Sequence, residues 1–162
     1  RVHTKVCNIS QTFCWDNQKD FKSYHPSGNL GAKLRTVDEL MIVGNKIPFV
    51  NESIKMKKAF QIISNKKLGI LVVQNNKKNT KGIITDGQIR RFNSKDTNLQ
   101  DLTVKKVMTI NPISVDQDTL AEKALAIMNS KKITSLCVHN QKNKKKTIGI
   151  LHIHKILQSN IQ

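Results

Sequence analysis

The feature that most constrains this chain is an internal repeat. Residues 47–73 align with residues 112–138 at a shift of 65 positions, which places Val50 opposite Val115 and keeps most apolar positions in step. Self-similarity at a fixed period indicates two copies of one supersecondary unit, because each copy needs a neighbour to bury its apolar face. The sequence therefore predicts a pair of similar units packed into one module.

The ends of the two copies are similar as well. After a turn that is two residues longer in the second copy, GIITDGQI at 82–89 corresponds to GILHIHKI at 149–156 with a shift of 67. Upstream, VDELM at 37–41 matches VKKVM at 104–108 at the same shift. In both copies a short β-branched run leads into the start of an amphipathic helix. Such a corner can hold an anion or a hydroxylated ligand at the helix N-terminus.

Each copy is predicted to form a short strand, a helix, two strands and a second helix. In the first copy we expect strands at 48–50, 70–74 and 81–85, a helix capped by Ser53 and a helix capped by Thr85 or Asp86. In the second copy we expect strands at 113–115, 135–139 and 147–151 and a helix capped by Asp118 or Thr119. A short linker helix should precede the first copy, carrying Val37, Leu40 and Met41.

These patterns predict an α/β (α+β) fold of two β-α-β-β-α repeats, with an irregular N-terminal segment in front. Neither repeat is long enough to close a core alone, so the repeats should pack sheet against sheet. No apolar run reaches membrane-spanning length, and no secretory signal pattern opens the sequence. The three cysteines, Cys7, Cys14 and Cys137, have no metal-binding spacing, and Cys137 lies in an apolar run that predicts a buried, inert thiol. These features favour the cytoplasm.

The net charge of +17 raises the question of a nucleic-acid partner. The lysines cluster in the turns at 77–81 and 142–146, and aromatic residues make up only 4% of the chain. Proteins that bind single strands usually stack bases on aromatic side chains. Most of the charge is therefore interpreted as solvated surface, and a lysine-rich nucleic-acid-binding module is kept as a disfavoured alternative.

The repeat and its VxxVM-like lead-in resemble a tandem cystathionine-β-synthase (CBS) domain pair. The ending of the first copy is similar to the G-h-h-T-x-x-D motif of that family, where h is apolar, with Gln88 in the place of the aspartate. Over a longer span, the string YHPSGNLGAKL … DELM … GIITDGQIRR … VKKVMT … GILHIHKIL is similar to the C-terminal part of arabinose-5-phosphate isomerases. These are sugar-isomerase (SIS) enzymes with an appended CBS pair, which supply the Kdo sugar for lipopolysaccharide biosynthesis. The resemblance implies an SIS-domain remnant at 1–34, CBS repeats at 35–95 and 96–162, and a homodimer.

The resemblance also implies a catalytic histidine in the HPxG segment, which matches His25, although Ser27 replaces the usual glycine. The rest of an SIS domain has no counterpart here. The leading interpretation is thus a regulatory CBS pair of a truncated isomerase-like protein, with His25 a remnant and the chain inactive in a coupled isomerase assay. The alternative is the C-terminal part of a working isomerase that interconverts ribulose 5-phosphate and arabinose 5-phosphate, so enzyme status stays open.

The resemblance places candidate ligand-binding residues at the two repeat ends. The family uses a threonine for phosphate and an aspartate for the two ribose hydroxyls. Thr85 keeps the first role, Asp86 follows it, and Gln88 replaces the aspartate; in the second repeat His152 and Lys155 take these places. A lysine has no acceptor for a diol but can meet a phosphate. No cofactor is expected; a nucleotide or a sugar phosphate is the candidate ligand.

These positions allow two further interpretations. The first is that both stretches only cap helices and pack the module. The second is a metal site formed by His152 and His154 with His139 nearby. Strand alternation should point the side chains of His152 and His154 to different sides, and no cysteine or carboxylate completes a ligand set. No metal site is therefore predicted.

Overall fold

The two copies of the repeat contain the same order of elements in a computed structural model that describes residues 35–93 and 98–159. The first copy consists of helix α1 (Val37–Leu40), strand β1 (Ile42–Val43), strand β2 (Phe49–Asn51), helix α2 (Met56–Lys66), strands β3 (Ile70–Gln74) and β4 (Thr80–Thr85), and helix α3 (Asp86–Asn93). The second copy consists of helix α4 (Val104–Val107), strands β5 (Thr109–Ile110) and β6 (Ser114–Asp116), helix α5 (Ala121–Lys131), strands β7 (Ser135–Asn140) and β8 (Asn143–His152), and helix α6 (Ile153–Ser159). Single 3₁₀ turns occupy Gly44–Lys46 and Leu99–Asp101. The predicted order of strands and helices is confirmed.

The strands agree with the prediction except at the last one. β3 has the predicted bounds, whereas β8 begins four residues earlier than position 147. Asn143 pairs with Asn140 and Thr147 pairs with His139, so the lysine run at 144–146 forms a bulge within β8 that has no paired residue in β7. Lysine disfavours strands only weakly, so a lysine run can lie within a strand.

The predicted caps of the two long helices are wrong. α2 begins at Met56, and Ser53 instead donates its hydroxyl to Asn51 Oδ1 at 2.7 Å. α5 begins at Ala121, beyond Asp118 and Thr119. The first N–H of each helix donates to a backbone carbonyl of a distant segment, Met56 to Leu102 at 2.8 Å and Ala121 to Arg35 at 2.8 Å. Because those carbonyls satisfy the helix starts, no side-chain cap is needed.

Each sheet contains a strand from the lead-in of the other repeat. One sheet has the order β2-β3-β4-β5 and the other β1-β8-β7-β6. β1 precedes the first repeat but pairs with β8, and β5 precedes the second repeat but pairs with β4. The lead-in helices are exchanged in the same way, since Val37 is buried with the second repeat and Val104 with the first.

The cores follow from the apolar faces of the long helices. α2 buries Met56, Ala59 and Ile63 against the first sheet, and α5 buries its equivalent residues against the second. A third cluster joins the two sheets and consists of Ile47, Ile70, Val72, Cys137 and Ile150. This cluster confirms that the repeats pack sheet against sheet. Burial raises the pKa of the Cys137 thiol to about 11, as expected for an inert thiol, and a hydrogen bond with Thr147 lowers it in part.

Within residues 35–93 and 98–159, no helix is long and apolar enough to cross a membrane. The predicted irregular segment at 1–34, including His25, Cys7 and Cys14, lies outside the described residues.

Candidate functional site

A cleft of about 640 Å³ opens where the end of β4 meets the start of α3. The segment after β5 and the turn between α5 and β7 form its other walls. The polar lining residues are Thr85, Asp86, Gln88, Arg90, Arg91, Thr109, Asn111, Lys131, Lys132, Thr134, Ser135 and His152, and the apolar ones are Leu68, Ile83, Pro112, Ile113 and Ile133. We refer to it as the first cleft.

Thr85 and Gln88 form a capping box at the start of α3. The Thr85 N–H donates to Gln88 Oε1 at 3.1 Å, and the Gln88 N–H donates to Thr85 Oγ1 at 3.4 Å. This reciprocal pairing satisfies two backbone donors that a helix start would otherwise leave unpaired. The T-x-x-Q spacing in the sequence is a capping-box signature, so helix capping is one role of both residues.

The amide nitrogen of Gln88 holds the lead-in of the second repeat. It donates to Val107 O at 3.4 Å and to Thr109 Oγ1 at 2.5 Å. Both amide hydrogens therefore have partners, and the carboxamide oxygen has one acceptor position left. Gln88 thus links the start of α3 to β5. Its side chain has fewer free hydrogen-bond acceptors for a ligand than a carboxylate would have.

Asp86 is the first residue of α3, and its exposed side chain lies at the mouth of the first cleft beside Gly69. The Asp86 N–H donates to Gly69 O at 3.1 Å. A Cβ placed on Gly69 would lie 2.9 Å from Asp86 Oδ2, and Gly69 has a φ of +64°. Only glycine meets both demands without strain, because it has no side chain and adopts positive φ freely.

The charges around the first cleft are mainly positive. Arg90, Arg91, Lys131 and Lys132 line it, against the single carboxylate of Asp86. All four of these side chains are exposed. A cleft with this excess of cations favours an anionic ligand, and guanidinium and ammonium groups suit phosphate.

His152 occupies the place of Thr85 in the second repeat and caps α6 with its ring. The His154 N–H donates to His152 Nδ1 at 3.2 Å, so the neutral ring carries its proton on Nε2. Burial lowers the pKa of His152, and the neighbouring charge of His154 lowers it further.

The expectation that His152 and His154 point to different sides is wrong. Their rings stack with centroids 4.9 Å apart, because β8 ends at His152 and strand alternation no longer applies in the helix that follows. Among the described residues, no three or more histidine, cysteine, aspartate or glutamate side chains are grouped as a metal site.

A second cleft of about 670 Å³ is related to the first by the repeat. Its charged lining residues are Glu39, Lys46, Lys66 and Lys155, and Lys155 stands where Gln88 stands in the first cleft. The Lys66 ammonium donates to the Asn45 carbonyl. Lysine in place of glutamine makes this cleft cationic at the position where the first cleft has a capping amide.

The structure therefore divides the predicted ligand residues between two clefts. Thr85, Asp86, Gln88 and His152 meet in the first cleft, and Lys155 lies in the second. The sequence analysis did not assign the pair Lys131 and Lys132 to the first cleft, although a lysine pair precedes the strand in both copies of the repeat. His25 lies outside the described residues.

Comparison with known proteins identifies the family. The CBS domain family model matches residues 37–95 and 104–160. The chain is 35% identical over 142 residues to an uncharacterised protein of Rickettsia prowazekii and 33% identical over 144 residues to arabinose 5-phosphate isomerase KdsD of Escherichia coli strain K12. Each match covers 88% of this chain but only 43% of the relative. The chain thus spans less than half the length of these curated relatives.

Solved structures show the same fold. A conserved protein from Pyrococcus horikoshii superposes with a TM-score of 0.68 at 23% identity, covering 78% of this chain and 92% of that one. CBSX2, crystallised with AMP, superposes with a TM-score of 0.64 at 23% identity, covering 78% of this chain and 96% of that one. The two resemblances inferred from the sequence are confirmed, and the chain belongs to the CBS domain family.

Proposed function

We propose that the two repeats form a regulatory module that binds a small anionic ligand, a nucleotide or a sugar phosphate, in the first cleft. The observation that carries this proposal is the placement of four cationic side chains in the cleft at the capped start of α3, where Asp86 is the single carboxylate among the lining residues. Helix N-termini favour anions because their N–H groups and dipole are positive. Thr85 would contact the phosphate, and Lys131 and Lys132 would neutralise it.

Related folds support a nucleotide or nucleoside as one ligand class. CBSX2 was solved with AMP, and the CBS pair of protein MJ0100 with 5′-methylthioadenosine and S-adenosyl-L-methionine. In this chain Gln88 uses its amide for the capping box and for the lead-in of the second repeat. We therefore expect the anionic group, rather than a ribose diol, to supply most of the affinity at the first cleft. At the second cleft Lys155 would meet an anion in the same way.

The sequence similarity to KdsD supports a second part of the proposal. We propose that this module belongs to an arabinose-5-phosphate isomerase-like protein and transmits ligand occupancy to a sugar-isomerase domain of the Kdo pathway, as a cytoplasmic homodimer. The Gln88 contacts to Val107 and Thr109 offer a physical route, because a ligand that displaces Gln88 would disturb the lead-in of the second repeat.

Calorimetric titration with AMP, ATP, adenosine and arabinose 5-phosphate tests the ligand. The phosphorylated ligands should bind and adenosine should bind more weakly. The double variant Lys131→Ala, Lys132→Ala should lose on the order of tenfold in affinity, as expected for lost charge-assisted contacts. The matched variant Lys57→Ala, Lys58→Ala removes two exposed lysines from α2 and should bind as the parent does.

Gln88→Asp should strengthen nucleotide binding, because a carboxylate accepts hydrogen bonds from both ribose hydroxyls. Absence of heat with every phosphate in the parent and in this variant would contradict the proposed function. Equal affinity for AMP and adenosine would contradict the anionic recognition.

A further inference from the structure

The structure gathers six exposed lysines at one edge of the module. Thr80 Oγ1 and Thr147 Oγ1 lie 2.8 Å apart, so the hairpin between β3 and β4 meets the hairpin between β7 and β8. The lysines are Lys77, Lys78, Lys81, Lys144, Lys145 and Lys146, and each is within three residues of one of these threonines. Since a chain advances at most about 3.5 Å per residue, their backbones lie within roughly 11 Å of that contact. We call this set the lysine edge.

The turns that carry the lysine edge are fixed by asparagine side chains. Asn75 Oδ1 accepts the N–H of Lys77 at 3.1 Å and of Asn79 at 2.9 Å. Asn143 Oδ1 accepts the N–H of Lys145 at 3.2 Å. These local bonds hold the backbone of both turns in place, so the ammonium groups project from an ordered base.

The lysine edge has no internal counter-charge. Residues 75–81 and 140–147 contain no aspartate or glutamate. In the part of the chain that the structure describes, none of the six lysines lies within 4.0 Å of a carboxylate oxygen. Like charges held this close repel one another. The anionic groups of a bound polyanion neutralise them, and release of the condensed counterions of the polyanion favours binding.

The chemistry of the edge points to one class of polyanion. Neither turn carries an aromatic residue on which unpaired bases would stack. The large exposed apolar residues of the described chain, Val43, Ile110, Ile113 and Leu157, are all outside both turns, so nothing there would insert into a bilayer. Lysines without base-reading partners fit the regularly spaced phosphates of a duplex.

We propose that the lysine edge binds the phosphate backbone of double-stranded nucleic acid without reading its sequence. From the sequence alone, these lysines are interpreted as solvated surface. The proposal gives them a role because the fold shows that the two lysine-rich turns meet. The proposal does not depend on the ligand clefts, whose lining residues are all outside both turns.

Fluorescence anisotropy with a labelled mixed-sequence DNA duplex, across a salt series from about 50 to 200 mM, tests the proposal with the full chain. The parent should bind, and its affinity should fall steeply with salt. The quadruple variant Lys77→Gln, Lys78→Gln, Lys144→Gln, Lys145→Gln should reduce the slope of log affinity against log salt by about 3 to 4, since each lost phosphate contact removes about 0.9. The matched variant Lys57→Gln, Lys58→Gln, Lys105→Gln, Lys106→Gln removes the same charge from exposed helical positions and should keep the parent slope.

A second measurement covers the case in which the quadruple variant fails to fold. Lysine acetylation of the parent, read by mass spectrometry, should show protection of the lysine edge by the duplex and none at Lys57 or Lys105. Equal losses in both quadruple variants, uniform acetylation, or binding to phosphatidylserine vesicles with no binding to the duplex would each overturn the proposal.

Discussion

The hydroxyl oxygens of Thr80 and Thr147 lie 2.8 Å apart, and Thr80 Oγ1 also accepts the N–H of Thr147 at 3.1 Å. The two residues are equivalent in the two repeats, at the shift of 67. A contact between equivalent residues lies on the internal two-fold relationship of the module. This pair is therefore a hydrogen-bonded junction between the two sheets.

Removing one hydroxyl of this junction should destabilise the module. Thr80→Val leaves the buried Thr147 N–H without its acceptor and should lower the free energy of unfolding by about 1 to 3 kcal/mol. Thr147→Val removes a hydroxyl that contacts both Thr80 and Cys137 but leaves no backbone donor without a partner, and should cost about 1 kcal/mol. Urea denaturation measures both, and Thr134→Val, at an exposed position, should change little.

The double variant of Thr80 and Thr147 should cost less than the sum of the single variants, because both act on one contact. Strict additivity would show that the two hydroxyls are not coupled.

Alanine substitutions at the equivalent glycines Gly82 and Gly149 should distinguish a close contact with backbone from a close contact with a side chain. The three atoms nearest to a Cβ on Gly149 would all belong to the side chain of Met41, which is flexible. A Cβ on Gly82 would lie 2.8 Å from Met108 Sδ and also against the backbone carbonyl of Thr109. Gly82→Ala should therefore destabilise by about 1 to 3 kcal/mol, and Gly149→Ala by less.

Shortening the methionines provides the control for this comparison. Met41→Ala should remove most of the penalty of Gly149→Ala, while Met108→Ala should leave most of the penalty of Gly82→Ala, since a backbone carbonyl cannot be trimmed. Denaturant midpoints of the four single variants and the two double variants measure the coupling. Rescue of both glycine variants would show that the Thr109 carbonyl moves freely.

Replacing the residue that directly follows α2 should stabilise the protein. Lys67 ends this helix with a φ of +53°, a conformation that costs a side-chain-bearing residue about 1 kcal/mol or more. Glycine adopts it freely, although its greater freedom in the unfolded chain offsets part of the gain. Lys67→Gly should raise the free energy of unfolding by about 0.5 to 1 kcal/mol.

Lys57→Gly, inside the same helix, is the matched control and should cost about 1 kcal/mol. Denaturant titration of both variants is the measurement. A loss of stability in Lys67→Gly would argue that the lysine side chain holds the helix end by another contact.

Stability should fall as the pH drops below neutrality, through His152. The fold lowers the pKa of His152, so the unfolded chain takes up a proton first as the pH passes through about 6.5. The stability that depends on the neutral ring is therefore complete above that pH and decreases below it until the folded form is protonated too. His152→Asn keeps an acceptor for the His154 N–H and should flatten this dependence.

Urea midpoints between about pH 7.5 and pH 5 measure the effect, because the linkage acts on the folding equilibrium. His139→Gln controls for a histidine that is remote from this helix start. An unchanged pH profile in His152→Asn would remove His152 as the titrating group.

The repeat made the order of elements predictable, because a pattern seen twice distinguishes strand from helix better than a pattern seen once. The sequence also contained the capping box of Thr85 and Gln88 as a T-x-x-Q spacing. Interpretation of Gln88 as a replaced ligand residue did not use that signal. The structure shows where the glutamine side chain goes, with its oxygen on Thr85 and its nitrogen on Thr109.

The errors concern contacts between segments far apart in the chain. Ser53 was expected to cap α2, but the carbonyl of Leu102 fills that place, and Arg35 does so for α5. Local propensity describes one helix at a time and carries no information on such partners. The same limit applies to the exchange of β1 and β5, since two lead-ins with similar sequences can complete either sheet.

The exchanged lead-ins have a consequence for synthesis on the ribosome. Val37 is among the first described residues to be synthesised, yet it packs with Leu136, Leu151 and Ile156. Leu151 and Ile156 are synthesised more than a hundred residues after it. When the first repeat leaves the ribosome, its own lead-in has no surface to pack against. The core of the first repeat is completed only when Val104 and Val107, from the second lead-in, have been synthesised. We therefore expect the first lead-in, α1 and β1, to be the last segment of the module to pack. A chain released before β8 is complete would lack the strand with which β1 pairs.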